Sequence, residues 1–233
     1  MKKNLLTILF AFVSFTVFGC GIEGSGNVIT ETRSLTTFNG IDLRNTANVY
    51  ITQGDVQEVK IEAEDNIVPL ILTEVKNDEL IIECKENIRT KRAINVYITV
   101  KNLCLMELTG SGSMTTRSQF SCDHMNVRLS GSGDMKAIVN AKSLKATLSG
   151  SGNMDLTGSS EESDLRISGS GNVNAELMKT FTGAVTISGS GSGKVDVSND
   201  LTVNITGSGN VQYVHEPGHI QSRITGSGSI EKI

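Results

Sequence analysis

Apolar and polar residues alternate along most of this chain, and in its second half a Gly-Ser-Gly triplet interrupts the alternation seven times. An apolar residue stands two places before the first glycine of every copy, and successive copies begin 18 to 21 residues apart. The first glycines are Gly110, Gly131, Gly150, Gly169, Gly189, Gly207 and Gly226. A period of two is typical of strands with one buried face, and a repeat of this length is typical of a solenoid. We therefore expect each repeat to form one turn of a β-coil.

The repeated glycines have a predicted structural role. Glycine in a strand is about 0.5–1 kcal/mol less favourable than alanine, so a repeat that keeps two in every turn needs them for geometry. We expect both to face inward at a sharp bend, where a side chain would collide with the facing wall or the backbone needs a positive φ. The serines between them are expected to form an exposed polar row. The irregular copy over residues 189–195 is interpreted as a small bulge.

Two other interpretations of Gly-Ser runs are not favoured. A flexible linker would lack the strict apolar flanks of these copies. A dinucleotide-binding fingerprint needs a third glycine three residues after the second, with a helix beyond it. No copy in this sequence has that third glycine.

Residues 37–105 alternate in the same way but show no repeat. We interpret them as a less regular, β-rich N-terminal part that closes one end of the coil, because an open end exposes unpaired backbone. The regular repeats occupy residues 106–233, and together the two parts make a single β-solenoid domain over 37–233. The far end looks bare, which would allow two copies to associate as a homo-oligomer.

The N-terminus resembles the signal of a bacterial lipoprotein. Lys2 and Lys3 precede an apolar run over residues 5–18 that is too short to span a bilayer comfortably, and Cys20 follows the small residue Gly19. The resemblance predicts a signal peptide over 1–19, lipidation of Cys20 and a lipid-anchored tether over 20–36. An ordinary signal peptide and an uncleaved anchor are the alternatives. Gly21 after the cysteine is consistent with the outer membrane of a Gram-negative bacterium, on its cell-surface or its periplasmic face.

Net charge and cysteine content limit which binding partners and cofactors are expected. Without the two signal lysines the chain carries 19 basic and 25 acidic residues, a net charge of −6, which argues against nucleic acid. Once Cys20 is lipidated, Cys84, Cys104 and Cys122 remain, so at least one is free or paired between chains. Cys104 and Cys122 lie six and nine places before their glycine motifs. Being out of register, they are not expected to form a disulfide, and neither a zinc site nor a cofactor is expected.

Candidate chemistry is sparse. His215 and His219 are four residues apart, but Pro217 and Gly218 would break a helix between them, so we expect an exposed corner and no metal site. Two outward rows flank the glycine motifs, and both are interpreted as solvated faces. The row three places before each first glycine is Glu107, Arg128, Thr147, Arg166, Thr186, Asn204 and Arg223. The row three places after is Ser113, Asp134, Asn153, Asn172, Ser192, Asn210 and Ser229, whose short side chains should stack as hydrogen-bonding rows.

Residues 38–43 (FNGIDL), residues 49–54 (VYITQG) and the serial glycine units resemble the putative auto-transporter adhesin, head GIN domain family. The resemblance covers residue 38 to the C-terminus. It implies an all-β fold, a single-stranded right-handed parallel β-helix (solenoid) with turns of about 19 residues, and a role in adhesion. It brings no catalytic or ligand-binding residues.

Three functions are compatible with these patterns. The first hypothesis is a non-catalytic, lipid-anchored envelope protein that presents a polar β-helix surface to glycans or proteins. The second is a structural envelope scaffold with no host ligand. The third is a carbohydrate-active β-helix enzyme. The lack of tryptophan counts against stacked sugar platforms, and the lack of a compact charged cluster counts against catalysis.

Overall fold

The computed structural model describes residues 21–233, which form a coil of β-strands. The predicted signal peptide over 1–19 and the predicted lipidation of Cys20 lie outside the described residues. The strands are β1 (Ile22–Glu23), β2 (Val28–Arg33), β3 (Gly40–Leu43), β4 (Asn48–Gln53), β5 (Glu58–Glu64), β6 (Ile71–Lys76), β7 (Glu79–Cys84), β8 (Ile88–Arg89), β9 (Asn95–Val100), β10 (Leu105–Gly110), β11 (Ser113–Thr116), β12 (Phe120–Gly131), β13 (Asp134–Gly150), β14 (Asn153–Gly169), β15 (Asn172–Gly189), β16 (Ser192–Gly207), β17 (Asn210–Tyr213), β18 (His219–Gly226) and β19 (Ser229–Lys232). A short 3-10 helix spans Val68–Leu70.

Successive repeats stack on one another in parallel. Leu129 lies opposite Leu148 and Gly131 opposite Gly150, an offset of one 19-residue repeat. The same pairing continues from β13 through β19. The predicted all-β solenoid with turns of about 19 residues is therefore confirmed.

Each turn has a second corner besides the one at Gly-Ser-Gly, and the long strands continue through it without ending. β13 is continuous, but its buried positions change from odd to even numbers after Ala141. The change falls between Ala137 and Leu144, because the chain must turn there to bring a new side toward the core. Apolar side chains from both halves of each turn then fill one interior. The inward residues two places before the glycines are all buried up to the penultimate turn: Leu108, Leu129, Leu148, Ile167, Ile187 and Ile205.

The coil begins where the sequence shows no repeat. β7 and β9 form the outermost turn, β3 and β4 the next and β10 and β11 the third, all paired in parallel. Stacking order and chain order differ here, because β3 and β4 come before β7 and β9 in the sequence. At the corner of the second turn, Asn45-Thr46-Ala47 replaces Gly-Ser-Gly, and the Asn45 side-chain oxygen accepts the Ala47 N–H at 2.8 Å. The solenoid thus extends two turns beyond the visible repeat.

Antiparallel strands close this N-terminal end. β5 pairs with β9, and β2 pairs with β5 in turn. β6 folds back on β7. Every strand of the outermost turn therefore has a neighbour on its outer side, as expected of a cap.

The described part of the predicted tether is packed on the body. β1 pairs with β8, and β2 adds to the cap. The buried Glu64 carboxylate accepts the Gly26 N–H at 2.6 Å and the Lys91 N–H at 3.0 Å. Gly24 lies against the same carboxylate, where any side chain would overlap it. In contrast to the tether expected over 20–36, residues 21–33 belong to the folded body.

The two glycines of each motif have different structural roles, which corrects the expectation that both face inward. The first has φ between +117° and +136° in every copy and is half-buried in all but the last, and an added Cβ would meet the preceding turn's backbone. The second is buried in all but the last copy, and a Cβ at Gly152 would lie 2.7 Å from Cδ2 of Leu129 in the turn before. The collisions are thus with the neighbouring turn and not with the facing wall. The serine between them is exposed in every copy, as predicted.

The irregular copy over residues 189–195 contains no bulge, contrary to the sequence interpretation. Pairing is continuous, with Ser192 opposite Asn172 and Gly193 opposite Val173. Gly193 simply occupies a core position that carries an apolar side chain in the neighbouring turn. The first register shift comes directly after this copy: Ala175 lies opposite Val195, whereas Lys179 lies opposite Asp196, so the extra residues are in β15. A second shift lies between Thr180 and Thr182.

Candidate functional site

The strand segments after the glycine corner carry two adjacent outward rows of polar side chains, which we call the polar face. The first row is Asn95, Asn48, Ser113, Asp134, Asn153, Asn172, Ser192, Asn210 and Ser229. The second row is Tyr97, Tyr50, Thr115, Lys136, Asp155, Asn174, Lys194, Gln212 and Glu231. Parallel pairing in register places equivalent residues about 4.8 Å apart along the coil. The sequence repeat therefore becomes a regular array of functional groups.

Hydrogen bonds between turns hold the first row in place. With the donor named first, they are Asn95 to Glu62 (2.8 Å), Asn48 to Asn95 (3.1 Å), Ser113 to Asn48 (2.9 Å), Asn153 to Asp134 (3.0 Å), Asn172 to Asn153 (3.2 Å), Ser192 to Asn172 (2.6 Å) and Ser229 to Asn210 (3.0 Å). Each amide that gives one N–H to its neighbour keeps a second N–H. The predicted hydrogen-bonding row is confirmed, and it presents ordered donors and acceptors to solvent.

The second row adds charge. The Lys136 ammonium lies 3.4 Å from the Asp155 carboxylate, and the Gln212 amide donates to Glu231 at 2.7 Å. An open groove of about 550 Å³ runs along both rows from Tyr50 to Asn174. Its walls combine amides, hydroxyls and both signs of charge, a surface that suits a neutral or mixed polar ligand.

Two tyrosines stand at the N-terminal end of the polar face. The Tyr50 and Tyr97 ring centroids are 5.5 Å apart with planes inclined by 21°, and the Arg117 guanidinium carbon lies 4.2 Å from the Tyr50 centroid. Desolvation, followed by the charge of Glu62, raises the pKa of the Tyr97 hydroxyl. Aromatic rings beside a row of amides give this end an apolar component.

Sequence reasoning missed this aromatic pair, although a signal for it exists. The pentapeptide Asn-Val-Tyr-Ile-Thr occurs at residues 48–52 and again at residues 95–99. The structure pairs the two copies residue for residue, with Tyr50 opposite Tyr97. An identical strand sequence in the irregular part of the chain indicated two neighbouring turns. Two tyrosines can thus form the kind of ring surface that the lack of tryptophan seemed to exclude.

The opposite outward row, three places before each first glycine, is less continuous. Arg128 lies 3.3 Å from Glu107 in the turn before, whereas Arg166 pairs with Asp164 in its own strand at 3.0 Å. Exposed pairs of this kind contribute little to stability. This row matches the solvated face expected from the sequence.

His215 and His219, which the sequence places at an exposed corner, are both exposed and have different neighbours. His215 is exposed, with its Nδ1 2.8 Å from the Asp196 carboxylate, and His219 begins β18 opposite Asp200. The neighbouring Ser198 hydroxyl donates to the Thr180 carbonyl at 3.3 Å and not to the histidine. Within residues 21–233, no group of three or more His, Cys, Asp or Glu side chains could hold a metal ion.

Cys104 and Cys122 lie side by side despite being out of register. Partial burial, together with the Cys104 thiol and a side-chain hydrogen bond to it, raises the pKa of Cys122 to about 12. Both thiols and that of Cys84 are free. Partial burial also raises the pKa of Cys84, so neither thiol is a ready nucleophile at neutral pH.

The part of the chain that the structure describes contains no helix long and apolar enough to cross a bilayer.

Known proteins share this architecture. A putative adhesin from Bacteroides fragilis is 23% identical, with a TM-score of 0.84 over 91% of this chain and 100% of that one. A putative lipid binding protein from Parabacteroides distasonis is 22% identical, with a TM-score of 0.78 over 92% and 100%. A putative adhesin from Parabacteroides merdae is 19% identical, with a TM-score of 0.70 over 91% and 99%. At these identities the likeness establishes the fold alone.

No curated protein matches the chain. The family model described as putative auto-transporter adhesin, head GIN domain, matches residues 37–217, from just before β3 to the loop before β18. This range includes most of the cap, six of the seven Gly-Ser-Gly corners and most of the polar face. The chain therefore belongs to the putative auto-transporter adhesin, head GIN domain family.

Proposed function

We propose that this protein is a non-catalytic, lipid-anchored adhesin of the cell envelope whose polar face binds glycans. The observation that carries the proposal is the first row of the polar face. Its amides, hydroxyls and carboxylates repeat at a constant spacing and are held by their neighbours, for example Asn172 by Asn153 and Ser192. Binding groups that are already ordered lose little conformational entropy when a ligand arrives.

A glycan suits this face better than a protein does. Sugar hydroxyls both donate and accept hydrogen bonds, which matches a surface of mixed amides and carboxylates, and sugar C–H faces pack on aromatic rings such as Tyr50. A polymer with its own regular repeat can also contact equivalent groups on successive turns. Many weak contacts along one chain then add through effective concentration.

The test of ligand class is a glycan array probed with fluorescently labelled mature protein. Asn153→Ala with Asn172→Ala removes two members of the row, and the loss of their hydrogen bonds should weaken a glycan signal about tenfold. Asn140→Ala with Asn204→Ala is the matched control, because both asparagines are exposed away from the polar face. Equal losses in the two variants, or binding to protein ligands alone, would contradict the glycan proposal.

The anchor and the location are tested separately. Radiolabelled palmitate should enter the wild-type chain and not Cys20→Ser, and protease should cleave the protein on intact cells if it faces outward from the outer membrane. Protection until the cells are lysed would place it on the periplasmic side and favour an envelope scaffold.

The last described turn favours that second candidate, a scaffold that self-associates. Ile220 and Ile224 are 37% and 39% exposed, whereas their partners one turn earlier, Leu201 and Ile205, are each 1% exposed. A second copy covering this turn would bury the exposed isoleucines and pair the free edge of β18. Sedimentation equilibrium should then show a dimer that Ile224→Lys abolishes, and a monomer at every concentration would remove this candidate.

A further inference from the structure

The structure joins the start of the described chain to a basic loop. We call residues 85–92, which connect β7 to β9 through β8, the basic loop. It contains Lys85, Arg89, Lys91 and Arg92 against the single acid Glu86, a net charge of +3 in eight residues of a chain that is acidic overall. All of these charged side chains are exposed.

Backbone pairing fixes the N-terminal segment against this loop. The Ile22 N–H donates to the Asn87 carbonyl at 2.9 Å, and the Gly24 N–H donates to the Arg89 carbonyl at 2.9 Å. The side chains of Ile22 and Ile88 both pack on the hydrophobic core. The chain is therefore attached to the basic loop from its first described residues onward.

The Glu64 carboxylate also holds the N-terminal segment and the basic loop together. It accepts N–H groups from Gly26 in the segment and from Lys91 in the loop. A charged group hydrogen-bonded to both elements ties them together more strongly than a neutral one would. The nearby Asp65 carboxylate is occupied by Ser25 and Asn27, and Glu23 is paired with Lys91 at 3.3 Å. Lys85 and Arg92 are exposed at the loop surface.

We propose that the basic loop is a membrane-contacting surface that binds the anionic headgroups of the bilayer holding the protein. The proposal rests on the lipid anchor at Cys20. Gly21 directly follows the proposed lipidation site in the sequence and lies against the Asn87 carbonyl and Arg89 Cγ. A lipid attached one residue earlier would bring the exposed Lys85 and Arg92 toward the phosphate layer.

This contact also orients the coil. The basic loop belongs to the outermost N-terminal turn, and β18 lies eight strand spacings away, about 40 Å at 4.8 Å each. A basic surface beside a lipid anchor adds electrostatic attraction to anionic headgroups. The loop therefore adds both retention and a preferred orientation.

The test isolates the loop from the lipid. Mature protein carrying Cys20→Ser keeps all residues of the folded body and is mixed with vesicles of phosphatidylglycerol and phosphatidylcholine in equal parts, or of phosphatidylcholine alone. We expect co-sedimentation with the anionic vesicles only, weakened by added salt. Each basic side chain near an anionic surface strengthens binding about fivefold, so Lys85→Gln with Arg92→Gln should reduce it about 25-fold.

The matched control is Lys179→Gln with Arg223→Gln, which removes the same charge from exposed positions outside the loop. It should change binding less than twofold, and urea midpoints of both variants check that they fold. Equal binding to both vesicle types, or equal losses in the two double variants, would overturn the proposal. Palmitate labelling of the wild-type chain reports the anchor independently, so a failure of the loop and a failure of lipidation are distinguishable.

Discussion

Alanine at Gly150 and alanine at Gly193 should shift stability in opposite directions. At Gly150, φ is +124°, and a new methyl group would overlap the Gly131 carbonyl oxygen and lie 3.1 Å from its carbon. That oxygen accepts the N–H groups of Ser151 at 2.9 Å and Gly152 at 3.1 Å. Strained backbone is unfavourable by about 1–3 kcal/mol, and weakening two hydrogen bonds adds about 1–3 kcal/mol. Gly150→Ala should therefore lower the free energy of unfolding by about 2–6 kcal/mol.

At Gly193 the same methyl group meets only ordinary contacts. Its Cβ would lie 3.6 Å from Ile167 Cδ1 and 3.6 Å from Val185 Cγ1, at a position that Val173 fills one turn earlier. Replacing a strand glycine gains about 0.5–1 kcal/mol, and burying one methyl group gains about 0.8 kcal/mol. Gly193→Ala should therefore raise the free energy of unfolding by about 1–2 kcal/mol.

Urea unfolding followed by far-UV circular dichroism measures both changes, with thermal unfolding as a second readout. For a domain of this size 1 kcal/mol corresponds to about 2–4 °C in Tm, so the two variants should differ by at least about 6 °C. Ser151→Ala is the control, because the serine side chain is exposed and should be nearly silent. If Gly150→Ala and Gly193→Ala shift the midpoint alike, the role assigned to the corner glycines is refuted.

Three further predictions concern other parts of the molecule. With a pKa of about 12, Cys122 is about one ten-thousandth thiolate at pH 8, so iodoacetamide should label it at least about a hundredfold faster in urea than in buffer. Equal labelling rates by mass spectrometry would contradict the partly buried contact with Cys104. Hydrogen bonds from Asn27 and Ser25 lower the pKa of Asp65 in the folded protein. The Asp65 carboxylate therefore stabilises the fold fully above its ordinary pKa, and this stabilisation is lost as pH falls through the lowered pKa. Amide exchange of Ser25 and Asn27, corrected for intrinsic rates, should rise as pH falls below about 4, and Asp65→Asn should reduce that dependence. Arg117→Gln should lower the free energy of unfolding by about 0.5–1 kcal/mol through its contact with Tyr50, more than Arg223→Gln in the same urea assay.

The repeated half of the fold could be predicted from the sequence because its geometry depends on residues that are close together in the sequence. Each Gly-Ser-Gly lies between apolar residues at fixed spacing, and the pairing of Gly131 with Gly150 follows from the period alone. The bulge expected at residues 189–195 was wrong, because spacing cannot show whether an extra glycine is inserted or replaces a core side chain. The direction in which a Cβ would point at the first glycine also depends on its φ, which no pattern of apolar residues reports.

The N-terminal half was less predictable because its neighbours are distant in sequence and out of order. The Asn45-Thr46-Ala47 corner lacks the glycine signature, and the outermost turn comes later in the chain than the second one. The docked segment depends on Glu64, about 40 residues from Gly24, and a single buried carboxylate leaves no periodic signal. Within the candidate site, the row from Ser113 to Ser229 was predicted, whereas the Tyr50–Tyr97 pair required the register of β4 and β9.

The shuffled order of the first turns also sets the order in which the chain can fold. β3 and β4 are made early, but their neighbours on both sides, β7 with β9 and β10 with β11, are synthesised later. A stable nucleus therefore needs roughly the first half of the chain. After this nucleus has formed, each further turn pairs with the exposed strand edge of the turn before it, about one repeat earlier in the sequence. The coil can therefore lengthen in the direction of synthesis through contacts of low contact order. Among the described strands, β18 and β19 pair with a neighbouring turn on one side, so their amides should be the first of the coil to open.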